Sequence, residues 1–79
     1  MGYHTVKIAK GELGKSSKIQ EELDELREAE KQNVKILIHC ELADQYGALR
    51  AVAEIHGLSM KDLEQMIDLT AAAFREGER

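Results

Sequence analysis

Two carboxylates, Glu41 and Asp44, interrupt a helix-forming stretch whose core-facing side should carry only apolar residues. At about 100° per residue, Val34, Leu37, Ile38, Ala48, Val52 and Ile55 share one face of the segment from Val34 to His56. Glu41 falls near the middle of that face, and Asp44 lies about 60° to one side, between Ala51 and Leu37. A carboxylate held among apolar side chains costs several kcal/mol unless a charge or a metal compensates it. Any fold of this chain must therefore bring that compensation to the face. Glu21, Glu22 and Glu25 supply further acid at helical spacing, and the economical expectation is a divalent-cation site between two helices.

The means of building a core are limited. The 79 residues make one small domain, and a chain of this size buries only about 60% of its unfolded surface. Cys40 has no partner cysteine, and His4, His39 and His56 are too scattered to read as a zinc ligand set. A core shared among several copies of the chain is expected instead. A formal net charge of −4 with 33% charged residues argues against nucleic acid as the partner, because phosphate-backbone binding needs a clustered basic surface. A nucleotide remains open, since it needs only a metal and one or two cations. The first seven residues carry no apolar run suited to a signal peptide, and no stretch reaches the 18 or so apolar residues of a membrane span. Met1-Gly2 begins like a myristoylation signal, but Val6 stands where Ser or Thr is required. The expectation is a soluble cytoplasmic protein with a reduced Cys40 and no membrane partner.

Residues 1–14 read as an N-terminal arm and connector, and residues 15–79 as helical. Tyr3 to Ala9 alternates weakly, as a short strand or extended arm would, and Lys10-Gly-Glu-Leu-Gly14 reads as a connector or an irregular first turn. A first helix is predicted over Ser17–Gln32, with Ser17 and Gln20 matching a capping box and Ile19, Leu23, Leu26 and Glu30 along one stripe. Lys31, Gln32 and Asn33 suit its end. A tight turn leads into the second helix, which stops at Gly57. Ser59 caps a third helix with Asp62 in its first turn, whose buried stripe is predicted to be Leu63, Met66, Ile67, Thr70 and Phe74. The tail from Arg75 to Arg79 is polar and expected to fray. No proline interrupts the pattern. The predicted class is all-α: a helical hairpin plus a third helix.

On the first helix Glu22 borders the apolar stripe, Glu25 and Lys18 stand a little further round, Glu21 further again, and Asp24 points to solvent. Glu22 and Glu25, at i and i+3, can aim two carboxylates one way, and Glu41 and Asp44 repeat that spacing on the second helix. Antiparallel packing would bring the pairs together. Hard oxygen ligands at such density suit Mg²⁺ or Mn²⁺, and the absence of His at i+3 of either pair weighs against a ferritin-like di-iron site. Simpler readings stand beside this one. Glu-Glu-Leu-Asp-Glu-Leu is common on solvated helix faces, and Glu41 and Asp44 alone could be buried partners of Lys or Arg.

The combined pattern resembles the MazG-type all-α nucleoside triphosphate pyrophosphohydrolases, whose signature is Glu-Glu-x-x-Glu, a spacer, then Glu-x-x-Asp. Here it reads Glu21-Glu22-Leu23-Asp24-Glu25, fifteen intervening residues, then Glu41-Leu42-Ala43-Asp44. The flanks are similar to small phage-encoded members: Lys18-Ile19-Gln20, Tyr46-Gly47-Ala48, Asp62-Leu63, Met66, Thr70 and Ala73-Phe74, with Gly77 and Arg79 at the end. Nearly the whole chain after Tyr3 is covered. The resemblance implies one MazG-like domain over residues 1–79, with Mg²⁺ held by Glu22, Glu25, Glu41 and Asp44 acting as catalytic residues. Glu21 is implied in a secondary, water-mediated role. It further implies dimers or dimers of dimers whose helices form four-helix-bundle units, in the cytoplasm of a bacterial or phage-infected cell. One departure is Thr70-Ala71-Ala72-Ala73, neutral where small relatives often carry basic residues.

The implied reaction splits a nucleoside triphosphate, or a related nucleotide such as an alarmone, into the monophosphate and pyrophosphate. Lys18 is the candidate phosphate contact and Lys15 a secondary one, while an i,i+4 pair with Glu22 is the structural alternative for Lys18. Arg50 is expected in solvent unless a neighbouring subunit meets it. His39 and Cys40 are expected to be structural, and Tyr46 to serve packing or an interface. The competing functional readings are a non-catalytic helical oligomerisation or regulatory module with a metal-binding acidic face, and a plain bundle whose acids pair with Lys and Arg.

Overall fold

The computed structural model describes residues 4–77. Tyr3, where the predicted arm begins, and Arg79 of the tail lie outside them. Three helices follow in order: α1 (Ser16–Gln32), α2 (Lys35–Ile55) and α3 (Met60–Glu76). Among the described residues there is no strand, and the arm, residues 4–15, is irregular. No helix of the described residues is long and apolar enough to cross a membrane.

The helix ends follow from local chemistry. Asn33 adopts a left-handed conformation at φ 54°, and its N–H reaches the Ala29 and Glu30 carbonyls at 3.0 Å each. That closes α1 and leaves only Val34 before α2, so the two helices form a tight antiparallel hairpin. Gly57, at φ 71°, ends the second helical stretch as predicted, and the Leu58 N–H returns to the Ala53 carbonyl at 2.8 Å. The Ser59 hydroxyl accepts from the Asp62 N–H at 3.1 Å and caps α3. The predicted Ser17 capping box does not form. The helix starts one residue earlier, no side chain caps it, and the Ser17 hydroxyl instead accepts from the Glu12 N–H at 3.0 Å. The last helix holds through Glu76, further into the polar tail than predicted.

The arm lies along α1. The Thr5 hydroxyl donates to Glu28, and the Gly11 N–H donates to Glu21 Oε1 at 2.8 Å. Gly11 passes so close to the start of α1 that an added Cβ would sit 2.1 Å from the Ser17 carbonyl oxygen. Gly14 combines φ 90° with an Ile55 methyl 2.3 Å from where a Cβ would stand. A side chain at Gly11 would force the arm away from α1, whereas at Gly14 the exposed Ile55 can swing aside and the positive φ is what favours glycine.

Burial is inverted relative to an ordinary bundle. The only buried apolar side chains among the described residues are Ala29, Ala48 and Ala53, while Glu21, Glu22, Glu25, Glu28 and Glu41 are all buried. Among the described residues only α1 and α2 pack against each other extensively. The predicted buried stripe of α3 is mostly uncovered: Thr70 is buried and Leu63 half-buried, but Met66, Ile67 and Phe74 are 57%, 54% and 60% exposed. On α2, Val34 and Ile55 are exposed as well, although they share the predicted core face. On α1 the buried face is not the predicted stripe: Glu21, Glu22, Glu25, Glu28 and Ala29 are buried, while Ile19, Leu23 and Leu26 are half-buried and Glu30 is exposed, because the arm and α2 pack on the acidic side of the helix. What covers the exposed side chains of α2 and α3 is not within the described residues of one chain.

Candidate metal centre

The packing of α1 on α2 brings Glu22, Glu25, Glu41 and Asp44 toward a common point on the helical seam. Each offers a carboxylate oxygen, and the four oxygens lie within 4.8 Å of one another. Glu41 is completely buried, the largest side chain so enclosed among the described residues. Neither of its oxygens has a hydrogen-bond partner, nor does Glu22 Oε2. Buried oxygens of this kind are ordinarily satisfied, and leaving them bare is costly. Asp44 stands at the rim, exposed to solvent.

The electrostatics follow from this crowding. Burial, reinforced by contact with Glu22 and Glu41, pushes the Glu25 carboxyl up to about 7. Burial also raises Asp44, and the charges of Glu22 and Glu41 add to the effect while Lys18 opposes it. Two like charges near 4.8 Å repel by on the order of 3 kcal/mol at an effective dielectric of about 20. The nearest ammonium, Lys18, lies 3.1 Å from Glu22 Oε1. One such cation is a small offset for four carboxylates. A divalent cation matches the donor set: all oxygen, mostly desolvated, with one side open to water.

The remaining predicted site residues fall outside this point. Glu21 is buried but engaged by the Gly11 N–H, by Lys10 at 3.5 Å and by Lys18 at 3.1 Å. The Gly11 hydrogen bond, with help from Lys18, holds its carboxyl below the usual range. Its oxygens serve the arm, and it is not part of the converging set. Lys18 grips Glu21 and Glu22 together, which raises its ammonium pKa. That grip is the i,i+4 pair foreseen as the structural alternative, and it sits on the wall of a cleft of about 520 Å³ shared with Glu22, Asp44, Gly47 and Arg50. Lys15 turns away to an exposed pair with Glu12 at 2.8 Å. Arg50 is largely solvated beside Glu54, 3.8 Å away. The Tyr46 hydroxyl donates to Glu64 at 2.8 Å and links α2 to α3.

Two residues escaped the sequence reading. Glu28 is buried under the arm, and the Thr5 hydroxyl bound to it lowers its carboxyl pKa. His4 places Nε2 3.8 Å from Glu41 Oε2, with its side chain 7% exposed. No period connects residue 4 to the helices, so spacing alone could not have found it. No protein-family model matches this chain, and neither the curated proteins nor the solved structures give a significant match.

Proposed function

We propose that the acidic seam is a Mg²⁺ centre, with Mn²⁺ as a substitute, and that the chain is a nucleotide pyrophosphohydrolase of the MazG-like kind. Its substrate would be a nucleoside triphosphate or a related nucleotide such as an alarmone. The observation that carries this reading is a fully buried Glu41 with two bare oxygens, facing Glu22 and Glu25 across the helical seam with Asp44 beside it on α2. In this reading the centre is catalytic, not merely structural, because Asp44 and the adjoining cleft open it to a ligand.

Bound divalent ions would neutralise triphosphate charge and make water a better nucleophile at the α-phosphorus. The protein's own contributions can be assigned separately. Glu22, Glu25 and Glu41 supply a rigid, desolvated floor, and Asp44 supplies an oxygen at the open rim. Lys18 can exchange its carboxylate partners for a phosphate oxygen without leaving the cleft wall. Ala43, Gly47, Ala48 and Ala51 line the same cleft and leave room for the nucleoside.

The oligomer belongs to the same reading. A second copy laid on the apolar surface of α3 and α2 would cover Met66, Ile67 and Phe74 and complete four-helix units, as a dimer or a dimer of dimers. The partners are then a nucleotide and further copies of the chain, in the cytoplasmic nucleotide pool, with neither nucleic acid nor a membrane required.

The test is release of pyrophosphate from a panel of nucleotides with Mg²⁺ present. Glu41→Gln and Asp44→Asn should each reduce turnover by about 10²-fold or more while the helical content is kept. Metal binding with no pyrophosphate release from any nucleotide would favour the non-catalytic metal-binding module instead. Full activity in both variants would sink the catalytic assignment.

A further inference from the structure

The arm carries an imidazole into the acid cluster, and this arrangement has a chemistry of its own. His4, Glu25 and Glu41 each offer a ligand atom within 4.8 Å of the others. The His4 Nε2 to Glu41 Oε2 separation of 3.8 Å is too long for a hydrogen bond. Two ligands on one ion, each about 2.1 Å from it, stand roughly 3.4 Å apart in a tetrahedron and about 4.2 Å apart on opposite sides. The observed spacing falls between these limits. It leaves room for an ion between the two groups.

Two further features point the same way. The Glu41 carboxylate is wholly enclosed with neither oxygen hydrogen-bonded, although the imidazole stands beside it. The arm is also held in register: next to His4, Thr5 donates to Glu28, and seven residues on from His4 the Gly11 N–H is fixed to Glu21. His4 is thus placed by a strapped segment rather than a loose end.

We propose that His4, Glu25 and Glu41 form a second cation site, distinct in chemistry from the four-carboxylate centre, that takes a borderline first-row dication such as Co²⁺ or Zn²⁺. One imidazole nitrogen with two carboxylates favours these ions over Mg²⁺, which prefers oxygen alone and gives up its waters reluctantly. Glu25 and Glu41 belong to both sites and would bridge the two ions. The inference rests on the carboxylates binding cations, and it does not depend on the chain hydrolysing nucleotides.

The experiment is a Co²⁺ titration of the full chain in excess Mg²⁺, followed by visible absorption and calorimetry. His4→Gln should weaken the Co²⁺ site tenfold or more and leave Mg²⁺ affinity within about twofold. His4→Asp, which restores an oxygen ligand, should recover binding but lose the preference for Co²⁺. A double variant, His39→Gln with His56→Gln, should bind Co²⁺ like the parent. On the unsubstituted protein, the His4 ring protons should show Co²⁺-dependent paramagnetic shifts, a readout that needs no variant to fold. Unchanged Co²⁺ affinity in His4→Gln, or His4 resonances indifferent to Co²⁺, overturns the proposal. Co²⁺ binding that depends on His4, without pyrophosphate release, would support this site while removing the enzymatic reading. Mg²⁺-dependent pyrophosphate release with Co²⁺ binding indifferent to His4 would do the reverse.

Discussion

The seam between α1 and α2 and the groove between α2 and α3 are opposites. The seam encloses Glu22, Glu25 and Glu41, while the groove, about 490 Å³ in volume, leaves Met66, Ile67 and Phe74 open to water. In an ordinary small domain the contents would be exchanged. The seam is short of positive charge, and the groove is short of apolar surface to meet it. Both deficits are of the kind that a second component makes good, an ion in one case and another helix in the other. Much of this chain's stability is therefore expected to be conditional on what it binds.

The largest effect should come from reversing the seam's charge balance. Glu41→Gln removes an enclosed charge at nearly constant volume. With metal chelated, the variant should be more stable than the parent by on the order of 2 kcal/mol. With Mg²⁺ at a hundred times its dissociation constant, the parent should gain about 2.7 kcal/mol and the variant little or nothing. The order of stability thus inverts with Mg²⁺, while Na⁺ at equal ionic strength should leave it unchanged. Thermal denaturation of both proteins in chelator and in Mg²⁺ measures this directly. A parent that outlasts Glu41→Gln even in chelator would show the seam to be satisfied without an ion.

The groove can be broken independently. Ile67→Asp places a charge on the exposed stripe of α3, 54% exposed in the single chain. In an isolated chain such a surface change should cost no more than about 0.5 kcal/mol. If a second copy covers the stripe, burying an unpaired carboxylate at the contact should cost several kcal/mol of association. Sedimentation should show the parent as a dimer or tetramer and Ile67→Asp as a monomer, with a melting temperature that no longer depends on concentration. A parent that sediments as a monomer at high concentration removes the conditional account of this region.

The two regions also differ in how far periodicity reaches. The three helices, the left-handed Asn33, the stop at Gly57 and the Ser59 cap were all legible, because each rests on contacts within a few residues. The convergence of Glu22, Glu25, Glu41 and Asp44 was legible too, because 3.6-residue spacing and a tight hairpin leave little freedom. What the arm does was hidden. It has no repeat to read, and its effects on His4, Glu21 and Glu28 arise from tertiary bonds to Thr5, Gly11 and Lys10. Ser17 was misread for the same reason, since the arm's Glu12 N–H takes the hydroxyl that would have capped the helix. The α3 stripe was read correctly as a stripe, but its exposure depends on a surface that the described residues do not contain.

A pH series separates the regions further, because among the described residues only the seam has a strongly shifted carboxyl. Burial among other acids raises Glu25 from the usual carboxylate range to about 7 in the folded chain. For an acid raised on folding, the folded state holds a proton that the unfolded state has already released. Its contribution to stability is therefore complete below about pH 4.5 and is lost as pH rises through about 7. Glu21 and Glu28 are lowered, so their contribution is lost in acid below the usual carboxylate range and does not mask the trend above it. Metal-free protein should lose stability between pH 5 and 8. With Mg²⁺ the trend should weaken or reverse, since the ion displaces the Glu25 proton and binds more tightly as pH rises. Denaturant titrations across that interval check both signs, and Ile67→Asp should leave both unchanged.

The smallest expected effect tests whether α3 depends on its own ends or on its partner. The Ser59 hydroxyl accepts from Asp62 at 3.1 Å, and a cap of this type contributes about 1 kcal/mol to its helix. In a chain where α3 packs sparsely on the hairpin, that loss should fall on α3 alone. Ser59→Ala should therefore speed amide exchange within α3 severalfold at low protein concentration and leave the seam's amides unaffected. At concentrations where copies associate, the difference should shrink, because docking of the exposed stripe opposes fraying more strongly than the cap does. Equal acceleration of exchange in α1 and α2 would mean that the three helices unfold together, and that the hairpin and α3 are one cooperative unit rather than two conditional ones.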